Sequence, residues 1–137
     1  MKENQRLIPH MYPMYFVDGI IEKIPFKKVK GFKNITWNEW FINQNIEKPH
    51  MPELLIVEAI GQISAYVLEE KEKKLGVIAE FSGVNIFDQA FPGDRLELFF
   101  EVTKRNEKIF RGWGTASVDG RVIVEVKKFT ILYVDYK

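Results

Sequence analysis

Residues 52–74 read PELLIVEAIGQISAYVLEEKEKK, and this stretch decides the fold of the 137-residue chain. Pro52 suits the first helical position, where its missing N–H costs nothing. Glu53 sits favourably at the positive end of the helix dipole. From 54 to 68 apolar residues fall on nearly every side: Leu54, Leu55, Ile56, Val57, Ala59, Ile60, Ile63, Ala65, Tyr66, Val67 and Leu68. A helix apolar all round is a buried helix. Glu69–Lys73 and Glu70–Lys74 are i,i+4 pairs in the better orientation, and Gly76 is a stop. The pattern predicts one long buried helix over 52–74 that needs apolar cover on more than one side.

Almost everything else reads as strand. Strands are expected over 15–23, with Gly19 at a bulge, and over 28–36 and 76–86. Pro92-Gly93-Asp94 then marks a turn. Over 95–105, Leu96, Leu98, Phe100 and Val102 alternate with Glu97, Glu101 and Thr103. Asn106-Glu107-Lys108 turns the chain into a strand over 109–118, and Asp119-Gly120 is a hairpin signal. In the last strand, 121–134, the apolar phase shifts across Lys127-Lys128, which predicts a bulge. The expected class is α+β, with a curved antiparallel sheet around one helix. Loops or a second subunit would supply the rest of the helix's cover.

Composition narrows the function. A single domain over 1–137 is expected, large enough to bury roughly 68% of its unfolded surface. With 11 Phe, 5 Tyr and 3 Trp it carries too much apolar mass to remain disordered. The absence of Cys excludes thiolate metal sites and Cys nucleophiles. Two histidines, His10 and His50, leave little room for a zinc site or a Ser-His-Asp triad, so no metal and no cofactor are expected. A net charge of +1 argues against a nucleic-acid binder that relies on a broad basic field. No apolar run is long enough to span a membrane, and MKENQRLIPH has no signal-peptide pattern, so a cytoplasmic location is expected.

Two polar residues interrupt the apolar helix, Glu58 and Gln62, four apart and on one face. A carboxylate there is costly unless paired, hydrogen-bonded or protonated, which makes Glu58 either a structural partner of Gln62 or a candidate acid or base. The polar loop Asn43-Gln44-Asn45-Ile46-Glu47-Lys48-Pro49-His50 feeds the helix N-terminus, where free N–H groups collect. A carbonyl oxygen bound there would gain from those donors. His50 stands two turns before Glu58 and is by its position a capping or surface residue rather than a base. His10 reads as structural. Lys27, Lys28, Lys30 and Lys33, with Arg105, Lys108, Arg111, Lys127 and Lys128, read as solvated strand edges or a dock for an acidic partner.

Several motifs, in order along nearly the whole chain, resemble the FabZ-type 3-hydroxyacyl-acyl-carrier-protein dehydratases. They are Leu7-Ile8-Pro9-His10-Met11-Tyr12-Pro13 with Phe16-Val17-Asp18; Lys33-Asn34-Ile35-Thr36 with Asn38-Glu39; and Met51-Pro52 leading into Leu55-Ile56-Val57-Glu58-Ala59-Ile60-Gly61-Gln62. Phe81-Ser82-Gly83-Val84, Pro92-Gly93-Asp94 and Thr115-Ala116-Ser117-Val118-Asp119-Gly120 follow. The resemblance implies a hotdog fold, an antiparallel sheet wrapped around one long central helix. It also implies dimers, often trimers of dimers, with an acyl tunnel at the dimer interface and acyl-ACP or acyl-CoA thioesters as ligands.

One departure bears on the reaction. The family's loop reads Gly-His-Phe-Pro-Gly, with the His as base and a backbone N–H binding the thioester oxygen. Counting back from Met51-Pro52 puts Gln44 at the His position; counting forward from Asn38-Glu39 puts Asn45 there, because this loop is one residue short. Glu58 matches the family's catalytic Glu, Gln62 its Gln one turn on, and Glu53 replaces the Gly after Met-Pro. An amide cannot exchange a proton near neutral pH. The resemblance therefore implies a dehydratase-family protein with Glu58 as catalytic residue, Gln44, Asn45 and Gln62 as substrate-binding residues, and reduced dehydration. The alternatives are a hotdog thioesterase using Glu58, or a non-catalytic acyl-thioester binder or heterodimer subunit whose other chain supplies the His.

Overall fold

The structure is a computed structural model and describes residues 14–68 and 74–135. Its elements are β1 (Gly19–Ile24), β2 (Lys28–Asn34), α1 (Glu53–Ser64), β3 (Lys74–Ile86), β4 (Arg95–Arg105), β5 (Ile109–Val118) and β6 (Arg121–Asp135). The six strands form one sheet in the order β1-β2-β4-β5-β6-β3, and every neighbouring pair is antiparallel. The alternation along β4 places Leu96, Leu98 and Phe100 in the core, together with Phe110 of β5, Phe129 of β6 and Ile56, Ile60 and Ile63 of α1. The bulge expected at Lys127-Lys128 is present: Gly112 pairs with Phe129 and Gly114 with Val126, so the β6 segment between these pairs is one residue longer than that of β5. This keeps both Val126 and Phe129 buried.

The helix is shorter than its sequence pattern. After Ser64 the chain tightens into a 3-10 turn over Ala65–Val67, and Leu68 is already extended. Tertiary bonds capture the turn. The Phe26 N–H donates to the Val67 carbonyl at 2.7 Å, and the Tyr15 and Tyr66 hydroxyls meet at 2.7 Å. Gly76 lies inside β3 rather than ending the helix. The Glu69–Lys73 and Glu70–Lys74 pairs, His10 and the stretch 7–13 lie outside the described residues. Burial is also uneven: Leu54 is 74% exposed and Glu58 half-buried, whereas Ile56, Val57 and Ala59–Ser64 are covered.

β1 starts four residues later than its pattern: the Phe16 N–H goes to Gln62 of α1, and pairing with β2 begins only at the Asp18 N–H, which donates to the Phe32 carbonyl at 2.8 Å. Its irregularity falls between Ile20 and Glu22, not at Gly19. Gly19 is small for another reason: a Cβ there would lie 2.7 Å from the Phe32 ring. Nor is the basic stretch 27–33 on an edge. β2 is an interior strand, and Lys28 and Lys30 face Glu22 and Glu97 at 3.9 and 3.3 Å. The edges are β1 and β3, and the 13-residue β3 leaves Val77, Phe81, Val84 and Ile86 exposed.

Gly114 of β5 lets the helix approach the sheet, since a Cβ at this position would collide with the Ile60 side chain and the Phe99 carbonyl. Gly114→Ala is expected to cost about 1–3 kcal/mol through overpacking, measured by urea unfolding. A cost below ~0.5 kcal/mol would mean that the helix does not sit this close.

Candidate functional site

The helix face that carries Glu58 is organised by Gln62. Its Oε1 accepts the Phe16 N–H at 2.8 Å, and its Nε2 donates to the Met14 carbonyl at 2.7 Å and to Glu58 Oε2 at 3.0 Å. Gln62 is 3% exposed, so these bonds replace water that a buried amide would otherwise lose. The segment before β1 thus locks Gln62, and Gln62 in turn aims Glu58. The i,i+4 pairing read from the sequence is real, and its third and fourth members are backbone groups of Met14 and Phe16.

The loop before α1 is a chain of tight turns. The Asn45 N–H donates to Asn43 Oδ1 at 3.0 Å, and Gln44 Nε2 donates to the Trp37 carbonyl at 2.9 Å. Gln44 and Asn45 are both exposed, and neither shows a bond to Glu58 within the protomer. Lys48 has a φ of 56°, in the left-handed region that glycine enters at least cost. At the helix entry, His50 Nε2 lies 3.4 Å from Glu53 Oε1 and 3.3 Å from Gln89 Nε2, with its ring edge-on to Phe91. His50 therefore serves the connection between β3 and β4, and none of these contacts reaches Glu58.

A second polar centre anchors the loop's start. Lys33, expected among the solvated strand-edge lysines, is buried. Its Nζ lies 2.8 Å from Glu39 Oε2 and 3.7 Å from Asp18 Oδ2. Glu39 also accepts the Thr36 N–H at 3.2 Å, and Asp18 the Asn34 N–H at 2.7 Å. The antiparallel β1–β2 pairing brings Asp18 to Lys33, and the turn after β2 brings back Glu39, six residues on. Immediately after Glu39, Trp40 and Phe41 pack on each other and on Phe16, with ring centroids 5.6–6.4 Å apart.

A groove of about 360 Å³ lies elsewhere, lined by Glu22, Lys28, Lys30, Glu97, Phe99 and Ser117, and no residue of α1 borders it. Among the described residues no three His, Asp or Glu side chains cluster as metal ligands, and no helix is long and apolar enough to cross a membrane.

Comparison with known proteins bears on this arrangement. A FabA-like domain model matches residues 8–127. The 3-hydroxyacyl-[acyl-carrier-protein] dehydratase FabZ of Bacillus subtilis is 42% identical over 130 residues, covering 92% of each chain. That of Clostridium botulinum strain Okra is 39% identical over 136 residues, covering 96% of this chain and 94% of the relative. Among solved structures, the dehydratase heterocomplex ApeI:P from Xenorhabdus doucetiae superposes with a TM-score of 0.79 at 19% identity, over 95% of this chain and 90% of that one. A hypothetical thioesterase with coenzyme A from Streptococcus pneumoniae gives a TM-score of 0.67 at 18% identity, over 86% of each. The two superpositions identify the hotdog architecture, and the sequence relatives identify the family. The chain is a member of the FabZ-type 3-hydroxyacyl-[acyl-carrier-protein] dehydratase family.

Proposed function

We propose that this chain binds 3-hydroxyacyl thioesters of acyl carrier protein in the cytoplasm and dehydrates them slowly, with Glu58 as the acid and base. The observation that carries this reading is the fixed carboxylate: Gln62, buried and fully bonded, holds Glu58 Oε2 at 3.0 Å on a half-buried helix face. In the proposed reaction the Glu58 carboxylate takes the C2 proton of the substrate. The resulting carboxylic acid returns a proton to the C3 hydroxyl, the C3–O bond breaks, and water and a 2-enoyl thioester leave. One group thus does two jobs, which is the chemical reason for a low rate.

The left-handed Lys48 supports counting the loop forward from Asn38-Glu39. That count sets Lys48 at the last Gly of the family's Gly-His-Phe-Pro-Gly and Asn45 at its His. A thioesterase reading would use the loop amide to hold the carbonyl; Gln44's amide is engaged by the Trp37 carbonyl, which leaves that role to Asn45. Product analysis by mass spectrometry, with 3-hydroxyacyl-ACP and saturated acyl-ACP side by side, tests the proposal. Loss of water from the hydroxyacyl substrate supports it; a free acid from either substrate contradicts it.

We further propose a homodimer at minimum, assembling as a trimer of dimers, with coenzyme A thioesters able to replace the carrier protein. The support is the exposed apolar β3 edge and the exposed Leu54 one turn before Glu58. An unpaired edge of that length is a template for a second chain. Light scattering at micromolar concentration is expected to give a dimer or larger species; a monomer would refute this.

A further inference from the structure

The groove on the sheet is separate from the Glu58 face. Along β2, β4 and β5 the strand alternation turns Gly31, Leu98, Phe100 and Ala116 into the core and leaves Lys28, Lys30, Glu97, Phe99 and Ser117 on the opposite face. The sheet therefore stands between the groove and α1. The groove's charges form two pairs. Lys28 Nζ lies 3.9 Å from Glu22 Oε1, and Lys30 Nζ lies 3.3 Å from Glu97 Oε2. The first separation exceeds hydrogen-bond length, so Lys28 and Glu22 keep bonding capacity that the second pair spends internally. All four side chains are 35–56% exposed, within reach of a ligand. Phe99 lies across from Lys30 in the β2–β4 register and lines the groove, with Trp113 packed behind its ring at 5.3 Å.

Two ammonium groups and two carboxylates make this lining neutral overall. A net anion meets Glu22 and Glu97 there, and a net cation meets Lys28 and Lys30; a zwitterion satisfies both signs. An α-amino acid carries its ammonium and its carboxylate on one carbon, so it presents two adjacent opposite charges to the open Lys28–Glu22 pair. Its side chain then falls on the Phe99 ring, where an apolar or aromatic group gains most. The groove's volume of about 360 Å³ is at the small end of the range for ligand sites, in keeping with a ligand of that size. We infer that this groove binds a free α-amino acid with a bulky apolar side chain, its carboxylate beside Lys28, its ammonium beside Glu22 and its side chain on Phe99.

The test is an NMR titration of the backbone amides of the whole chain with L-phenylalanine. Saturable shifts at millimolar concentration are expected at residues 22, 28–30 and 97–99. Phenylalaninamide lacks the carboxylate and N-acetylphenylalanine lacks the ammonium. Each is expected to bind at least about tenfold more weakly, because it leaves one charge of the pair unmatched. Glycine, which has both charges and no side chain, is also expected to bind more weakly. Lys28→Gln and Glu22→Gln change exposed side chains and are expected to lose the same factor for phenylalanine. Lys104→Gln, an exposed cation outside the groove, is expected to keep full affinity. Absence of saturable shifts at the groove residues overturns the inference. So does binding of either derivative as tight as that of phenylalanine, or unchanged affinity in both Lys28→Gln and Glu22→Gln.

Discussion

Replacing Asn45 by His is expected to raise dehydration of 3-hydroxyacyl-ACP by up to about 10²–10⁴-fold, the contribution of a positioned general base. The reaction then no longer asks one carboxylate for two proton transfers, since the imidazole takes the C2 proton while Glu58 protonates the leaving hydroxyl. Position 45 is the better of the two candidates on structural grounds. The turn at Asn45 is made by its backbone N–H to Asn43, so the side chain can change without breaking it. Gln44→His loses the bond to the Trp37 carbonyl and is expected to gain less. Glu58→Gln in the Asn45→His background should abolish the gain, because the acid partner is gone. Were the site a thioesterase, Gln44→His or Asn45→His would instead depress thioester hydrolysis, by about 10²–10³ if an oxyanion donor were lost. Steady-state rates with both substrate types separate these outcomes. A crystal structure of each variant would show whether its imidazole comes within hydrogen-bond reach, directly or through one water, of Glu58 or the substrate's C2 proton.

Lys33→Met is expected to destabilise the fold by about 3–5 kcal/mol, because removing one partner of a buried pair leaves a buried charge without compensation. The side chains of Lys33 and Glu39 are 9% and 13% exposed, so water cannot readily take the place of the lost ammonium. Urea unfolding of Lys33→Met, Glu39→Gln and the double variant should show strong coupling, with the double variant less destabilised than the sum of the single changes. Additive effects below ~1 kcal/mol each would reduce the pair to an ordinary surface contact. The expected loss is larger than a loop anchor alone would give, since the same lysine also neutralises Asp18 at 3.7 Å, where β1 begins.

The succession of strands along the chain was legible because it depends on local signals, whereas their order in the sheet, with β3 beside β6, is set by pairings distant in sequence. Alternation in β4, the Asp119-Gly120 turn and the phase shift at Lys127-Lys128 each act within a few residues, and β4 and β5 begin and end where those signals put them. The helix end was not legible, since apolar content continues through Leu68 while the turn there is set by Phe26 and Tyr15, distant in sequence. Lys33 misled for a related reason: a lysine on an alternating strand looks solvated until strand pairing brings Asp18 to it and the turn after β2 folds Glu39 back. At the site, the Glu58–Gln62 pair followed from helical spacing alone. The backbone groups of Met14 and Phe16 that complete it carry no side-chain signature, and the conformation of Lys48 runs against the residue's own preference.

The most direct test of Glu58 as the reacting carboxylate is the dehydration rate of 3-hydroxyacyl-ACP by the otherwise unaltered protein against Glu58→Gln, followed by mass spectrometry of the enoyl product. The substitution is nearly isosteric, and the Gln62 amide can donate to the new carbonyl as it does to the carboxylate, so folding and thioester binding should persist. The expected result is slow product formation by the unaltered chain that falls by at least about 10²-fold in the variant. Equal rates in the two proteins, with binding intact, would contradict the assignment.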